Sequence, residues 1–133
     1  GKVHDVWWSC FAEDEGAKTA SCKLWKDGHY LGDTHTAVAW GVAQQYKQAN
    51  PGHNAGVVLS TASPNKFPAA VLEGIGEKAE GDEFDVMEQL HKVTGVPVPK
   101  NLADLRSRAV RHCDVIDRGE MLDYVLGKAA AEK

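Results

Sequence analysis

Apolar residues recur at helical spacing along most of this chain, and one short run has the composition of a strand. Residues 5–26 are predicted to be helical with an interruption at Gly16. A second helix is predicted to begin at Thr34, which can cap it, and to end at the Asn-Pro-Gly breaker of residues 50–52. Residues 56–60 contain an apolar, β-branched run and are the predicted strand.

The second half of the chain is also predicted to be mostly helical. Helices are predicted over residues 64–74 and 83–93, over a short stretch near residues 101–106, and from Asp117 towards the C-terminal end. Residues 110–116 are predicted to be an extended edge segment.

The whole pattern indicates an α/β class, in a helix-rich region with few strands of its own. A single strand cannot satisfy its own backbone N–H and C=O groups, and sheets usually need several strands. We therefore expect residues 1–133 to form one region of a larger α/β protein whose other strands lie upstream. This region divides into a helical part (1–26), a helix–strand–helix part (27–76) and a helical tail (77–133).

Composition and charge narrow the class of partner. The net charge is −4 and there is no run of lysine or arginine, which argues against a nucleic-acid-binding surface. No apolar run approaches the roughly 20 residues that a membrane helix needs, and no secretory leader is visible. The three cysteines are too far apart for a disulfide framework or a metal knuckle. These features predict a cytoplasmic protein with reduced thiols and no membrane partner.

Several hydroxyl groups and one cation lie close together at the end of the predicted strand and just after it, in residues 59–67, which we call the hydroxyl-rich corner. The sequence LSTASPNKF occupies residues 59–67, so that Ser60, Thr61 and Ser63 closely precede Lys66. Helix N-termini attract anions, because their first N–H groups lack partners and the helix dipole is positive there. A simpler interpretation is that Ser63 caps a helix whose first residue is Pro64. Composition alone leaves both interpretations open.

A second polar cluster lies where the second helix is predicted to begin, in the sequence DTHTAV at residues 33–38. Either a hydroxyl or carboxylate simply caps the helix, or His35 or Thr36 faces a ligand. The six histidines show no recognised metal-ligand spacing. The sequence GIGEKA at residues 74–79 ends a helical pattern, whereas a dinucleotide-binding loop would follow a strand. Neither a metal site nor a dinucleotide site is predicted.

Two of these segments, taken together, resemble a known family. The sequences YLGDTHTAV at residues 30–38 and LSTASPNKF at residues 59–67 are similar, in order and spacing, to the C-terminal part of bacterial threonine synthase. The sequences GVPVPKNL at residues 95–102 and DVIDRGEM at residues 114–121 also resemble that family's tail. The resemblance extends over nearly the whole chain.

The resemblance implies a fold and a chemistry. Threonine synthases are pyridoxal-phosphate (PLP) enzymes of fold type II, the tryptophan-synthase-β type, and convert O-phospho-L-homoserine and water to L-threonine and phosphate. The family's T-A-x-P-x-K-F pattern implies that Thr61 faces the pyridine nitrogen of the cofactor, where a neutral hydroxyl tunes the ring's electron withdrawal. Lys66 is expected to hold an anionic substrate group, to stabilise a loop, or to be a surface lysine. Ser60, His35 and Thr36 are expected near the substrate or behind the residues that contact it.

Two essentials of the family's cofactor site have no counterpart in this sequence, namely the Schiff-base lysine and the Gly-rich loop that cradles the cofactor phosphate. Ser63 also stands where many family members carry histidine, which puts a chemical role at that position in doubt. The chain therefore resembles a C-terminal fragment with no catalytic residue of its own. We expect it to be inactive alone, not to bind PLP by itself, and to work with the N-terminal part of the same protein.

Two other functions stay open at the level of sequence. A non-catalytic domain could bind a small anion or a partner protein, through the hydroxyl-rich corner or the tryptophan-rich first third. Another fold type II PLP lyase, such as a threonine dehydratase, would share the fold, although the DTHTAV motif makes it a poorer match. A strand removed from its sheet would expose an edge, which predicts self-association.

Overall fold

Short helices make up the part of the chain that the structure, a computed structural model, describes: residues 7–52 and 56–131. The α-helices are α1 (Asp14–Lys26), α2 (Thr34–Ala49), α3 (Pro68–Gly74), α4 (Glu83–Thr94), α5 (Lys100–Ala103) and α6 (Met121–Ala131). Turns of 3₁₀-helix occupy Pro64–Lys66, Asp104–Ser107 and Arg118–Glu120. No β-strand occurs in these residues, so the described region is helical, and the α/β class of a larger fold stays a prediction.

The core lies where α3 and α4 pack together, with the link between α1 and α2 covering it. Its buried members are Leu31, Val71, Leu72, Ile75, Val86 and Leu90. Helix α1 packs against both α2 and α3. Its approach to α2 depends on small residues, since a Cβ at Gly41 would come within 3.2 Å of the Ala20 side chain. The order of packing is thus α2 on α1, α1 on α3 and α3 on α4.

The N-terminal helix is shorter than predicted. Residues 7–13 have no regular structure, and α1 begins only at Asp14, after Glu13 in an extended conformation. Asp14 and Glu15 favour this start because acidic side chains stabilise the positive end of the helix dipole. Gly16 does not interrupt the helix, since it falls in the first turn, where N–H groups lack helical partners in any case. The earliest residues of the predicted helix lie outside the described part.

The predicted strand is wrong. Residues 56–60 have no regular secondary structure, and residues 110–116 are likewise irregular. An extended run becomes a strand only when a second strand pairs with its N–H and C=O groups, and the described residues provide none. The prediction of self-association rested on the edge of this strand, which the described part of the chain lacks. Val57 and Leu59 are nevertheless exposed apolar residues.

The helix predicted over residues 64–74 is divided in two. A 3₁₀ turn ends at Lys66 and α3 begins at Pro68, because Phe67 between them has non-helical dihedral angles (φ −132°, ψ 65°). Proline disfavours the helical conformation of the residue before it, which accounts for the break. The corner is therefore sharper than one continuous helix would make it.

Helix α4 forms as predicted because both of its ends carry strong signals. Asp82 and Asp85 make a reciprocal capping box at its start. Gly95 ends it in the left-handed conformation (φ 72°), which glycine adopts at low cost. Arg106 fastens the 3₁₀ turn that follows α5 to this helix start, with Nη1 2.9 Å from Asp85 Oδ1.

The C-terminal tail is exposed. Helix α6 leaves a row of apolar side chains uncovered by the described residues: Met121, Leu122, Val125 and Leu126. Local contacts hold the tail to itself, since Asp114 Oδ2 accepts a hydrogen bond from the Tyr124 hydroxyl at 2.5 Å and lies 2.8 Å from Lys128 Nζ. The helix predicted from Asp117 thus exists as a 3₁₀ turn followed by α6.

Candidate functional site

A fully buried carboxylate, Asp33, organises the start of α2. Its Oδ1 accepts hydrogen bonds from the backbone N–H of Thr36, at 3.1 Å, and from the Thr36 hydroxyl. Its Oδ2 accepts from the backbone N–H of His35, at 3.1 Å, and from His35 Nδ1, at 3.0 Å. The cap of α2 is therefore Asp33, and the prediction that Thr34 caps the helix is wrong. A carboxylate accepts from two N–H groups at once, which one hydroxyl does less well.

The same hydrogen bonds set the charge of Asp33. Burial of the carboxyl raises its pKa, but the hydrogen bonds from Thr36 and His35 lower it by more, so the pKa of Asp33 lies below its ordinary value. The group is thus ionised at neutral pH, and an ionised carboxylate can only accept hydrogen bonds. It follows that Nδ1 of His35 carries the hydrogen in this contact, which leaves Nε2 as the ring nitrogen able to bind another group.

A chain of hydroxyl groups links this helix start to the residues of the predicted strand. Thr36 Oγ1 lies 3.2 Å from Ser60 Oγ, and the Tyr30 hydroxyl donates to Ser60 Oγ at 3.1 Å. The Thr36 hydroxyl has one hydrogen, which Asp33 accepts, so Ser60 is the donor to Thr36. The donors run in one direction, from Tyr30 through Ser60 and Thr36 to the carboxylate.

His35 is exposed and borders a surface pocket between α1, α2 and α3. Its side chain is 66% accessible, and the residues that line the pocket with it include Ser21, Thr34 and Glu73. The centre of its ring lies 6.2 Å from that of Phe67, at the break before α3. His35 thus faces both a pocket and the hydroxyl-rich corner.

Thr61 and Lys66 stand at the open side of the corner. Both are exposed, and Thr61 directly follows Ser60 of the hydroxyl chain. Lys66 Nζ lies 5.5 Å from the centre of the Phe67 ring, a distance typical of a cation–π contact. Phe67 therefore has His35 and Lys66 as neighbours.

The capping interpretation of Ser63 is confirmed. Its Oγ accepts a hydrogen bond from the backbone N–H of Asn65 at 3.2 Å, and Pro64 is the first residue of the turn. This turn is only three residues long, so it has little of the dipole that an anion site at a helix start would use.

Sequence reasoning found most of this cluster but missed two of its members. The structure brings together His35, Thr36 and Ser60, whereas Thr61 and Lys66 are their neighbours at the rim. Tyr30 was missed as a partner of Ser60, because nothing local relates residues 30 positions apart. From the sequence, Asp33 is only a possible helix cap. Its spacing before two N–H groups of a helix start is the signal that could have singled it out.

The described residues contain no group of three or more histidine, cysteine or acidic side chains placed to bind a metal ion. Among their helices, none has the length and apolar character needed to cross a bilayer.

Fold and site together define a helical region that presents polar side chains at one corner, around a buried carboxylate. The family described as "Threonine synthase, C-terminal" matches this sequence over residues 36–123. That match covers more than half of the chain, so the chain belongs to the threonine synthase C-terminal family, and the resemblance is confirmed. Thr36, Ser60, Thr61 and Lys66 lie inside the matched residues.

Proposed function

We propose that this chain forms part of a PLP-dependent threonine synthase, which converts O-phospho-L-homoserine and water to L-threonine and phosphate. The observation that carries the proposal is the family match over residues 36–123. Thr61 occupies the threonine of the T-A-x-P-x-K-F pattern within this match. The family match and the T-A-x-P-x-K-F motif thus both include residues 61–67.

The side chain of Thr61 suits a partner of the cofactor's pyridine nitrogen. Thr61 is exposed, so its side chain can reach a group bound against this face, and its hydroxyl is neutral. PLP supplies electron withdrawal from the carbon atoms of a bound amino acid. Thr61 would hold a hydrogen bond at the ring nitrogen without a negative charge to enforce its protonation, and so would set how strongly the ring withdraws electrons.

The described lysines do not suit the covalent attachment of the cofactor. Each of them is exposed, whereas a nucleophilic lysine needs a partly desolvated position that lowers its pKa. We therefore infer that the attachment lysine is supplied from outside the described residues, by the N-terminal part of the protein. The chain alone is then inactive.

Lys66 is the cation best placed to assist an anionic substrate. It is exposed at the rim of the corner, beside Phe67. O-phospho-L-homoserine carries a phosphate and a carboxylate, and a lysine ammonium at the rim would attract either group. His35 borders the same ring and would contribute a hydrogen-bonding nitrogen.

A phosphate-release assay on this polypeptide tests its inactivity. The chain is incubated with O-phospho-L-homoserine and PLP, and its absorbance and its mass after borohydride reduction are recorded. We expect neither phosphate nor a stoichiometric adduct. Turnover together with an adduct on one lysine would show that the chain carries its own attachment site.

The role of Thr61 is tested in the enzyme that contains this chain. Thr61→Val removes the hydroxyl and preserves the shape, and we expect kcat to fall about 2- to 10-fold, as for a lost hydrogen bond between neutral groups. Thr19→Val is the matched control, because Thr19 is exposed on α1, away from the corner. Full activity of Thr61→Val would refute the assignment.

A further inference from the structure

Side-chain contacts hold residues 56–62, the segment that carries Thr61. Residues 56–62 have no regular secondary structure. Among the described residues, they form no backbone hydrogen bond with one another or with the helices. The segment's hydrogen bonds run through the Ser60 hydroxyl, which contacts Tyr30 and Thr36, and Val58 is half-buried. Among the described residues, side chains thus hold this segment, where backbone pairing would hold a strand in a sheet.

The hydrogen bonds of Ser60 lead through Thr36 to the buried carboxylate of Asp33. Asp33 is fully buried and is held by two backbone N–H groups of α2, so its carboxylate cannot shift without disrupting the helix start. The Thr36 hydroxyl donates to it and is therefore oriented with its lone pairs free to accept from Ser60. The position of Ser60 is thereby fixed relative to the N-terminal end of α2.

We propose that Thr36, Tyr30 and Asp33 are positioning residues for Thr61, acting through Ser60. The proposal rests on the role suggested above for Thr61 at the pyridine nitrogen. Thr61 is one peptide unit from Ser60, so a displacement of Ser60 moves the Thr61 hydroxyl with it. A hydrogen bond to a ring nitrogen weakens steeply with a small error in distance or angle, and a small error in the placement of a catalytic group can have a large effect on rate.

The positioning role can be separated from the role of Asp33 as a helix cap. Thr36→Val removes the hydroxyl link to Ser60 but keeps the backbone N–H of residue 36, which donates to Asp33. The cap and the helix start therefore survive this substitution. Thr36→Ser restores the hydroxyl, and Thr34→Val is the matched control because it changes a threonine of the same helix turn whose side chain makes no hydrogen bond to Ser60 in the described part of the chain.

The first measurement is limited proteolysis within residues 56–62 of the protein that contains this chain, because a protease cleaves this segment only when it detaches from the helices. We expect cleavage in Thr36→Val to be about tenfold faster than in the parent, as for an opening that has lost one hydrogen bond. Thr34→Val and Thr36→Ser should be cleaved at the parent rate. Equal rates in Thr36→Val and Thr34→Val would overturn the proposal, whether or not the protein is an enzyme.

The second measurement is the absorbance spectrum of the PLP-loaded enzyme, which reports the environment of the ring nitrogen. We expect Thr36→Val and Ser60→Ala to shift the cofactor band in the same direction as Thr61→Val, and Thr36→Ser to restore it. A shift in Thr61→Val alone would overturn the positioning role and leave the function of Thr61 intact. No shift in Thr61→Val would refute the assignment of Thr61 itself, and with it the positioning role.

Discussion

Asp33 is fully buried, yet it accepts a hydrogen bond at 3.0 Å from Nδ1 of His35, whose side chain is mostly exposed. A buried carboxylate thereby fixes which ring nitrogen of a surface histidine carries the hydrogen. The same carboxylate accepts the Thr36 hydroxyl and caps α2. One acidic side chain therefore links the stability of the helix to the geometry of the candidate site.

Replacement of this carboxylate should destabilise the protein in a pH-dependent way. Asp33→Asn keeps the shape but loses the charge that accepts four hydrogen bonds. We expect the free energy of unfolding at pH 7 to fall by about 2–4 kcal/mol, the cost of disrupting a buried, charged hydrogen-bonding group. Urea unfolding of parent and variant at several pH values measures the difference.

The sign of the pH dependence follows from the lowered pKa of Asp33. The pKa lies below the ordinary value of 3.8 in the folded state, so ionised Asp33 stabilises the fold above about pH 4. This stabilisation is lost as the pH falls through the folded-state pKa, and parent and Asp33→Asn should converge in stability there. Asp27→Asn, an exposed change after α1, should stay within about 0.5 kcal/mol of the parent. A difference that does not change with pH would contradict the prediction.

Two leucines, one buried in the core and one exposed, should differ widely in their contribution to the free energy of unfolding. Leu72 is 1% exposed between α3 and α4, whereas Leu122 on α6 is 69% exposed. Leu72→Ala should lower the free energy of unfolding by about 2–5 kcal/mol, because it removes buried apolar atoms and leaves a cavity. Leu122→Ala should change it by no more than about 0.5 kcal/mol. Similar losses in the two variants would mean that α6 is covered in the protein as it exists in solution.

Helix α4 shows what the sequence could predict. Asp82 and Gly95 carry the two end signals, and apolar residues recur between them at helical spacing, so local chemistry alone sets this helix. The run at residues 56–60 shows the limit of such reasoning. Its composition is that of a strand, but pairing depends on residues elsewhere, and periodicity does not reveal whether they exist.

The candidate site was predictable to the same extent. His35 and Thr36 belong to one helix start, and their spacing after Asp33 is a local signal. The link from Thr36 to Ser60 joins residues 24 positions apart, and only the packed fold brings them together. The resemblance to a family supplied the connection between these segments that local patterns could not.

Arg106 should control the ionisation of Asp85. Its guanidinium is 2.9 Å from Asp85 Oδ1, and this hydrogen bond is the largest cause of a pKa for Asp85 below the ordinary value. In Arg106→Ala the pKa of Asp85 should rise towards that value, which NMR titration of the carboxyl measures. Arg108→Ala is the control, because Arg108 is exposed and lies after the same turn. An unchanged titration of Asp85 in Arg106→Ala would show that the ion pair does not form in solution.

Two helical glycines should respond in opposite directions to the same substitution. A Cβ at Gly74 would lie 2.9 Å from the Cβ of Ser21 on α1, whereas a Cβ at Gly127 on α6 would meet nothing within 4 Å. Gly74→Ala forces α1 and α3 apart and should lower the free energy of unfolding by about 1–3 kcal/mol, as for an overpacked core. Gly127→Ala gains helix propensity without a clash and should stabilise α6 by up to about 1 kcal/mol. Helix content by circular dichroism and urea unfolding report the two effects, and Ser21→Gly added to Gly74→Ala, which returns space at the contact, should recover part of the loss. Equal responses at the two positions would mean that α1 and α3 do not pack as closely as the Gly74–Ser21 contact requires.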